Sequence, residues 1–251
     1  MSTISKKKIY GVVICYNSET AINDLYQRID KEIFDKIYFF DDNSTDNSYA
    51  VAKKFDWIVF KNEKNLGHGG NLKKSVNFAF KHGADYVLEV HGDNQYDPND
   101  ILKAKMFIDN DYDLIIGSRF VNKNPYLNDG MPLLRYLTNK TFSQVTSYLL
   151  KINLTEFHTG FKIFSKKFHD LIPYEKNSES YLFSFQVILQ SKMLNLKIAE
   201  VSISSTYDVN STSCNHFNGL LYLIGNIKSI LMFYLAKTRI YIDPIFKIKD
   251  D

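Results

Sequence analysis

The sequence predicts an α/β fold with a mainly parallel central sheet and helices on both faces. Two observations carry that prediction. Through the first half, short runs rich in β-branched and aromatic residues alternate with longer segments whose apolar residues recur at helical spacing, the order of successive βαβ units. Four of the short runs then give way to polar stretches rich in Asn, Asp, Ser, His or Gly. A parallel sheet gathers its ligand site at the carboxyl ends of its strands, so these stretches converge on one edge.

The first strand is assigned to 9–15, where Lys6, Lys7 and Lys8 lead into a short apolar run with no small-residue cleavage site after it. It reads as a buried strand and not as a signal peptide. A helix over 21–32 and a strand over 36–40 follow. Ser44, Thr45 and Asp46 have the character of a helix N-cap with a favourable acid in the first turn, opening a helix over 46–55. A strand at 57–60, a helix at 69–82 and a strand at 86–90 come next. Pro98 behind Asp97 suits the first turn of a helix over 98–109, and a strand at 114–117 ends the regular alternation.

The second half is less regular. Helices are expected over 133–150 and 181–191, with strands at 160–164 and 198–204. No Gly/Ser-rich linker, internal repeat or low-complexity tract separates this half, so 1–251 is assigned to one domain. Residues 207–251 read as a polar mobile loop followed by an apolar terminal helix over 217–236. Asn226, Lys228 and Ser229 interrupt that helix, leaving an apolar run shorter than the ~20 residues a bilayer requires. It is assigned as a packed terminal helix, with a helix lying on a membrane surface as the alternative.

The net charge of +3 comes without a dense Lys/Arg block, which argues against a nucleic-acid partner and leaves a diffuse attraction to phosphates or anionic lipid. Cys15 and Cys214 are far apart and lack metal-ligand spacing, as expected of free thiols in a reducing compartment.

Several constellations at the strand ends carry chemistry. Asp93 and Gln95 leave a strand through Gly92, with His91 two residues before Asp93. Carboxylate, amide oxygen and imidazole together suit Mg²⁺ or Mn²⁺, although Asp93 and Asn94 would also serve an ordinary turn. Asp41 or Asp42 can accept bonds from a ribose or base, while Asp46 is assigned to capping. The Gly67–Asn71 cluster suits a phosphate-facing turn before a helix N-terminus or simple tight packing, and it lacks the GK[ST] ending of a P-loop.

Taken in order, six stretches resemble the family 2 glycosyltransferases of the GT-A fold, including polyprenyl-phosphate sugar transferases similar to dolichol-phosphate mannose synthase. They are VVICYNSE from Val12, DDNSTD from Asp41, NLG from Asn65, HGDNQYDP from His91, GSR from Gly117 and TGFK from Thr159. The resemblance covers roughly 8–207 and is most specific around Asp93. It departs from the family at His91, which stands where the first acid of a D-x-D pair is usual, and at Ile14, where a proline is usual.

The resemblance implies an inverting transfer of a sugar from a UDP- or GDP-linked donor to a polyprenyl phosphate or a glycan hydroxyl. It implies a donor half at 1–120 and an acceptor half at 121–206. Asp93, Gln95 and His91 would hold the metal, and Tyr16, Ser18, Asp41, Asp42 and Gly67 would border the nucleotide. Arg119 would meet the acceptor or the diphosphate, its fixed guanidinium fork suiting phosphate oxygens. Read from the residues alone, Arg135 and Lys162 either extend a basic lining toward an anionic acceptor or are solvated surface charges. Glu156 and His158 lie where inverting members often carry a base, which a hydroxyl acceptor needs and a phosphate acceptor does not, the alternative for His158 being a buried histidine bonded to backbone. The expected location is the cytoplasm, peripheral on the membrane face through the terminal helix. Two rival classes are a sugar nucleotidyltransferase, which usually opens with a glycine-rich phosphate loop absent from 9–19, and a non-catalytic nucleotide-sugar binder, suggested by His91.

Overall fold

Parallel pairing dominates the computed structural model, which describes residues 7–206 and 216–247. Seven strands form one sheet: β1 (Ile9–Cys15), β2 (Lys36–Asp41), β3 (Ile58–Lys61), β4 (Tyr86–His91), β5 (Leu114–Ser118), β6 (Lys162–Ser165) and β7 (Ile198–Ser202). Their order is β3-β2-β1-β4-β6-β5-β7. Only β6 runs against its neighbours, pairing antiparallel with both β4 and β5.

The apolar runs make both faces of the sheet into core. Val12 and Phe40 point to one side with Leu72, Phe164 and Phe183, while Val13 and Phe39 point to the other with Ile22, Leu25 and Leu88. Alternation along a strand sends neighbouring residues to opposite faces, and a sheet covered on both sides therefore needs continuous apolar strands.

The first face is covered by α3 (Gly67–Lys81), α7 (Lys166–Leu171), α8 (Leu182–Met193) and α9 (His216–Lys237). The second is covered by α1 (Glu19–Arg28), α2 (Ser48–Ala52), a 3₁₀ stretch over Pro98–Ala104 and α4 (Lys105–Asp109). The single helix expected over 98–109 is therefore two pieces. At its start Asp97 accepts the Asn99 amide, and within it Asp100 binds the Ser204 amide and Lys103. Two further helices are α5 (Pro125–Asn128) and α6 (Leu133–Leu150), the latter ending at Lys151 in the left-handed conformation with φ of 50°.

The direction of β6 matters for the site. Because Lys162 pairs with Ile116 and Ile163 with Leu88, the chain just before β6 lies beyond the carboxyl ends of β4 and β5. Residues 156–161 thus arrive at the same edge as Asp93, though they come from a different part of the sequence. The strand order also reverses direction at β1 and β4, the kind of switch point where open α/β sheets bind ligands.

The terminal helix corrects the expectation from its sequence. By length and composition Gly219–Lys237 is apolar enough to cross a membrane. Asn226 and Ser229, which interrupt the apolar run, are buried against the body together with Phe233 and Ala236. Leu220, Leu221, Leu223, Ile224, Ile227 and Leu231 face outward and are exposed. Segment 207–215, expected as a mobile loop, lies outside the described residues.

Candidate active site

At the ends of β1 and β2, polar side chains lock the two loops together. Ser44 Oγ accepts the Asn17 amide at 2.9 Å, and Asn17 Oδ1 accepts the Thr45 amide at 2.9 Å. Asn17 and Asn43 have φ of 50° and 60°, a conformation that asparagine tolerates better than most side chains. Asp46 accepts from the Ser48 amide at 2.9 Å and from the Glu19 amide at 3.1 Å, so one carboxylate serves the first turns of both α1 and α2.

Of the residues predicted to border the nucleotide, Tyr16 is 48% exposed and Ser18 is half-buried, its hydroxyl bonded to the Tyr16 carbonyl. Asp41 and Asp42 are buried. Asp41 Oδ2 accepts the Ser44 amide at 3.0 Å and lies 3.8 Å from Lys61 Nζ, while its Oδ1 has no partner among the described residues. Asp42 Oδ1 accepts both Asn62 Nδ2 and the Leu66 amide at 2.8 Å.

The glycine turn proves to be tight packing. The amides of Gly69 and Gly70 donate to the Glu179 carbonyl at 2.7 and 3.4 Å, and a Cβ on Gly67 would come within 2.6 Å of the same oxygen. Lys73 secures the facing loop, donating to the Asn177 carbonyl at 2.8 Å and to Glu179 Oε1 at 2.6 Å. Those two amides are committed to protein and are not open to a phosphate.

At the end of β4 the chain turns through Gly92, where a Cβ would meet the Cys15 Cβ at 2.9 Å, and through Asn94 with φ of 58°. Asp93 and Gln95 are both half-buried at the edge. Asp93 Oδ1 accepts the Gln95 amide at 3.1 Å, and its second oxygen is outside that turn bond. This carboxylate, with the Gln95 amide and the imidazole of His91, is a donor set that fits a divalent cation.

Sequence reasoning missed what lies behind His91. Glu89 is fully buried in β4, and its Oε1 meets His91 Nε2 at 3.0 Å and His68 Nε2 at 3.4 Å. The available signal was an acid in an otherwise apolar strand. Burial acts to raise the Glu89 carboxyl, but bonds from the two imidazoles more than reverse it, so it ionises below its ordinary range. His68 is held below its usual value by burial. At His91 burial pulls the same way, yet the carboxylates of Glu89 and Asp93 raise it overall.

In the half expected to take the acceptor, Glu156 is fully buried and binds Arg119 in two ways: Oε2 accepts the Arg119 amide at 2.7 Å, and Oε1 accepts Nε at 2.9 Å and also Nη2. Arg119 is itself buried. Glu156 is thus placed as a counter-ion and not as a carboxylate open to a sugar hydroxyl. His158 Nδ1 lies 3.1 Å from the Tyr222 hydroxyl on α9, and burial aided by the Arg119 and Lys162 charges pushes it down to about 3. It is a neutral, bonded histidine.

Lys162 does not extend a surface lining. It is fully buried, donates to the Thr159 carbonyl, and is pushed down to about 8 by burial despite Glu89 and Glu156 nearby. Arg135 is half-buried in the first turn of α6. Beside α6 a groove of about 960 Å³ runs along Tyr148, Leu149, Leu154 and Tyr234 and is bordered by Phe120 and Thr155, the sequence neighbours of Arg119 and Glu156.

Comparison with known proteins agrees with this architecture. An uncharacterised protein of Methanocaldococcus jannaschii is 30% identical over 214 residues, covering 85% of this chain and 87% of its own length. A protein of Methanococcus voltae named UDP-N-acetylglucosamine–dolichyl-phosphate N-acetylglucosaminyltransferase is 28% identical over 222 residues, covering 81% and 88%. Among solved structures, glucosyl-3-phosphoglycerate synthase from Mycobacterium tuberculosis, in complex with Mn²⁺, UDP and phosphoglyceric acid, superposes with a TM-score of 0.61 at 15% identity, covering 92% of this chain and 78% of its own. That likeness shows a shared GT-A fold. With the family model for glycosyl transferase family 2 matching residues 12–172, the chain belongs to that family and is a glycosyltransferase.

Proposed function

We propose that the chain transfers a sugar, with inversion, from a UDP-linked donor to a polyprenyl phosphate. The observation that carries this reading is the groove beside α6, where apolar and aromatic side chains are mixed with polar ones that include Lys140 and Lys151, bordered by the neighbours of the buried Arg119–Glu156 pair. A lipid chain laid along Tyr148 and Leu149 would bring its phosphate to that end. The M. voltae relative bears the name of an enzyme with a UDP-linked donor and a dolichyl-phosphate acceptor, and the M. tuberculosis structure contains UDP and Mn²⁺.

The state of the acceptor side favours a phosphate over a hydroxyl. Glu156 is occupied by Arg119, and His158 is bonded to Tyr222. A phosphate acceptor is already ionised and needs no base. Its oxygen would attack the anomeric carbon as the bond to the donor's β-phosphate oxygen breaks, and one such displacement inverts the centre. Arg119, held by Glu156, would steer the negative charge of the acceptor.

On the donor side Asp93, with Gln95 and His91, would hold Mn²⁺ or Mg²⁺. When bound, the cation supplies charge neutralisation on the departing diphosphate. Tyr16 offers an exposed ring for the base, and the orphaned Asp41 Oδ1 offers an acceptor for the nucleoside.

The outer face of α9 and the exposed Leu134, Leu137 and Tyr148 of α6 suit contact with the cytoplasmic membrane surface, and neither helix carries an acidic residue. The test is transfer from UDP-N-acetylglucosamine and UDP-glucose to polyprenyl phosphate in vesicles, with and without Mn²⁺. Metal-dependent formation of a sugar phospholipid supports the reading. Transfer only to a glycan hydroxyl, or release of pyrophosphate from a nucleoside triphosphate, would replace it.

A further inference from the structure

The Glu89 cluster is built more tightly than a strand needs. Three ionisable groups from α3 and β4 meet at one carboxylate oxygen inside the protein. The His91 ring is bounded on several sides: Tyr96 meets it edge-on at 5.2 Å, the His68 ring lies 5.4 Å away, and a Cβ on Gly160 would stand 2.1 Å from Nε2. Glu89 Oε2 is buried without a partner among the described residues, so Oε1 alone bears the ring contacts. A carboxylate committed to the imidazoles in this way costs more to bury than an apolar residue would. An orienting role accounts for it.

We propose that Glu89, fastened by His68, is a positioning residue that turns His91 Nε2 inward and leaves Nδ1 to the donor-side cation, making this site prefer Mn²⁺ to Mg²⁺. The inference rests on the reading that the donor is held through a cation at Asp93. Its physical basis is general. A ligating imidazole ordinarily donates its other N–H to a carboxylate, which fixes both tautomer and ring orientation. With Nε2 engaged by Glu89, Nδ1 is the nitrogen that remains, and among the described residues it has no hydrogen-bond partner. Both ions favour oxygen ligands, but Mg²⁺ holds to oxygen and its own waters more strictly than Mn²⁺, so a nitrogen in place of a carboxylate penalises Mg²⁺ more.

The experiment uses the full chain, UDP and each metal alone, and reads binding together with the pulsed EPR spectrum of bound Mn²⁺. Wild type should bind Mn²⁺ with UDP about tenfold or more tightly than Mg²⁺ and show ¹⁴N modulation from a ligating imidazole. His91→Asp should remove the modulation and bring the two affinities within a few-fold of each other. Glu89→Gln should weaken Mn²⁺ binding about tenfold and reduce the ¹⁴N coupling, the size expected for loss of an outer carboxylate. If Glu89→Gln does not fold, His68→Gln provides the milder loss in the same direction.

Mn²⁺ bound with UDP but without ¹⁴N modulation in wild type would overturn the inference while leaving the donor-site reading in place. An unchanged metal preference in His91→Asp would do the same. Failure of either metal to alter UDP binding would overturn both.

Discussion

Asp93 and Glu156 show how differently two carboxylates can be used at one edge. Asp93 is half-buried with an oxygen outside its turn bond, whereas Glu156 is fully buried and committed to Arg119. Asp93→Asn is therefore expected to abolish metal-dependent UDP binding, read by calorimetry, with the thermal midpoint unchanged; retained binding would remove Asp93 from the site. Glu156→Gln leaves a buried guanidinium without its counter-ion, which typically costs about 3–5 kcal/mol. Urea denaturation should show that loss, and transfer should fall with it. Wild-type stability would mean that Arg119 can turn to water.

At the scale of elements, the strands were legible because a sheet covered on both faces demands uninterrupted apolar runs, and such runs are visible in any sequence. The Asp93 turn was legible for a similar reason, since a polar stretch following a buried strand has few other places to go. Long-range pairing was not. Nothing local in Lys162–Ser165 records that β6 runs antiparallel between β4 and β5, so the burial of Lys162 and the partnership of Glu156 with Arg119 could not be read. The glycine turn was ambiguous because the carbonyl that fills it, Glu179, lies more than a hundred residues away.

The terminal helix packs through one stripe, but the length of its apolar run was underrated because hydropathy along a line ignores which face a residue occupies: of its interrupting residues Asn226 and Ser229 face inward, while Lys228 is exposed. Leu223→Glu with Ile227→Glu should abolish sedimentation with anionic vesicles and leave UDP affinity unchanged. Persistent vesicle binding would place the membrane contact elsewhere.

The molecule as a whole carries a buried cation whose effect on stability depends on pH. Lys162 titrates at about 8 in the folded chain against 10.5 as its ordinary value. Between those two pH values the unfolded chain binds the extra proton, so stability rises with pH across the window, by about 3 kcal/mol, and the contribution is lost as pH falls through the folded value. Other lysines and tyrosines titrate there too. The measurable quantity is the difference in unfolding free energy between wild type and Lys162→Met, which should climb from pH 8 to pH 10.5 and stay flat below. A flat difference throughout would show that Lys162 keeps its ordinary proton affinity inside the fold.

The inward stripe of α9 also limits how the chain can meet a bilayer. Tyr222, which holds His158, stands on the same side of the helix as Asn226 and Ser229. For α9 to thread through a bilayer it would have to detach, strip His158 of its partner and carry two polar side chains into hydrocarbon. Half-immersion would leave all three contacts intact, so a chain resting on a bilayer through the outer face of α9 would keep His158 and its surroundings as they are.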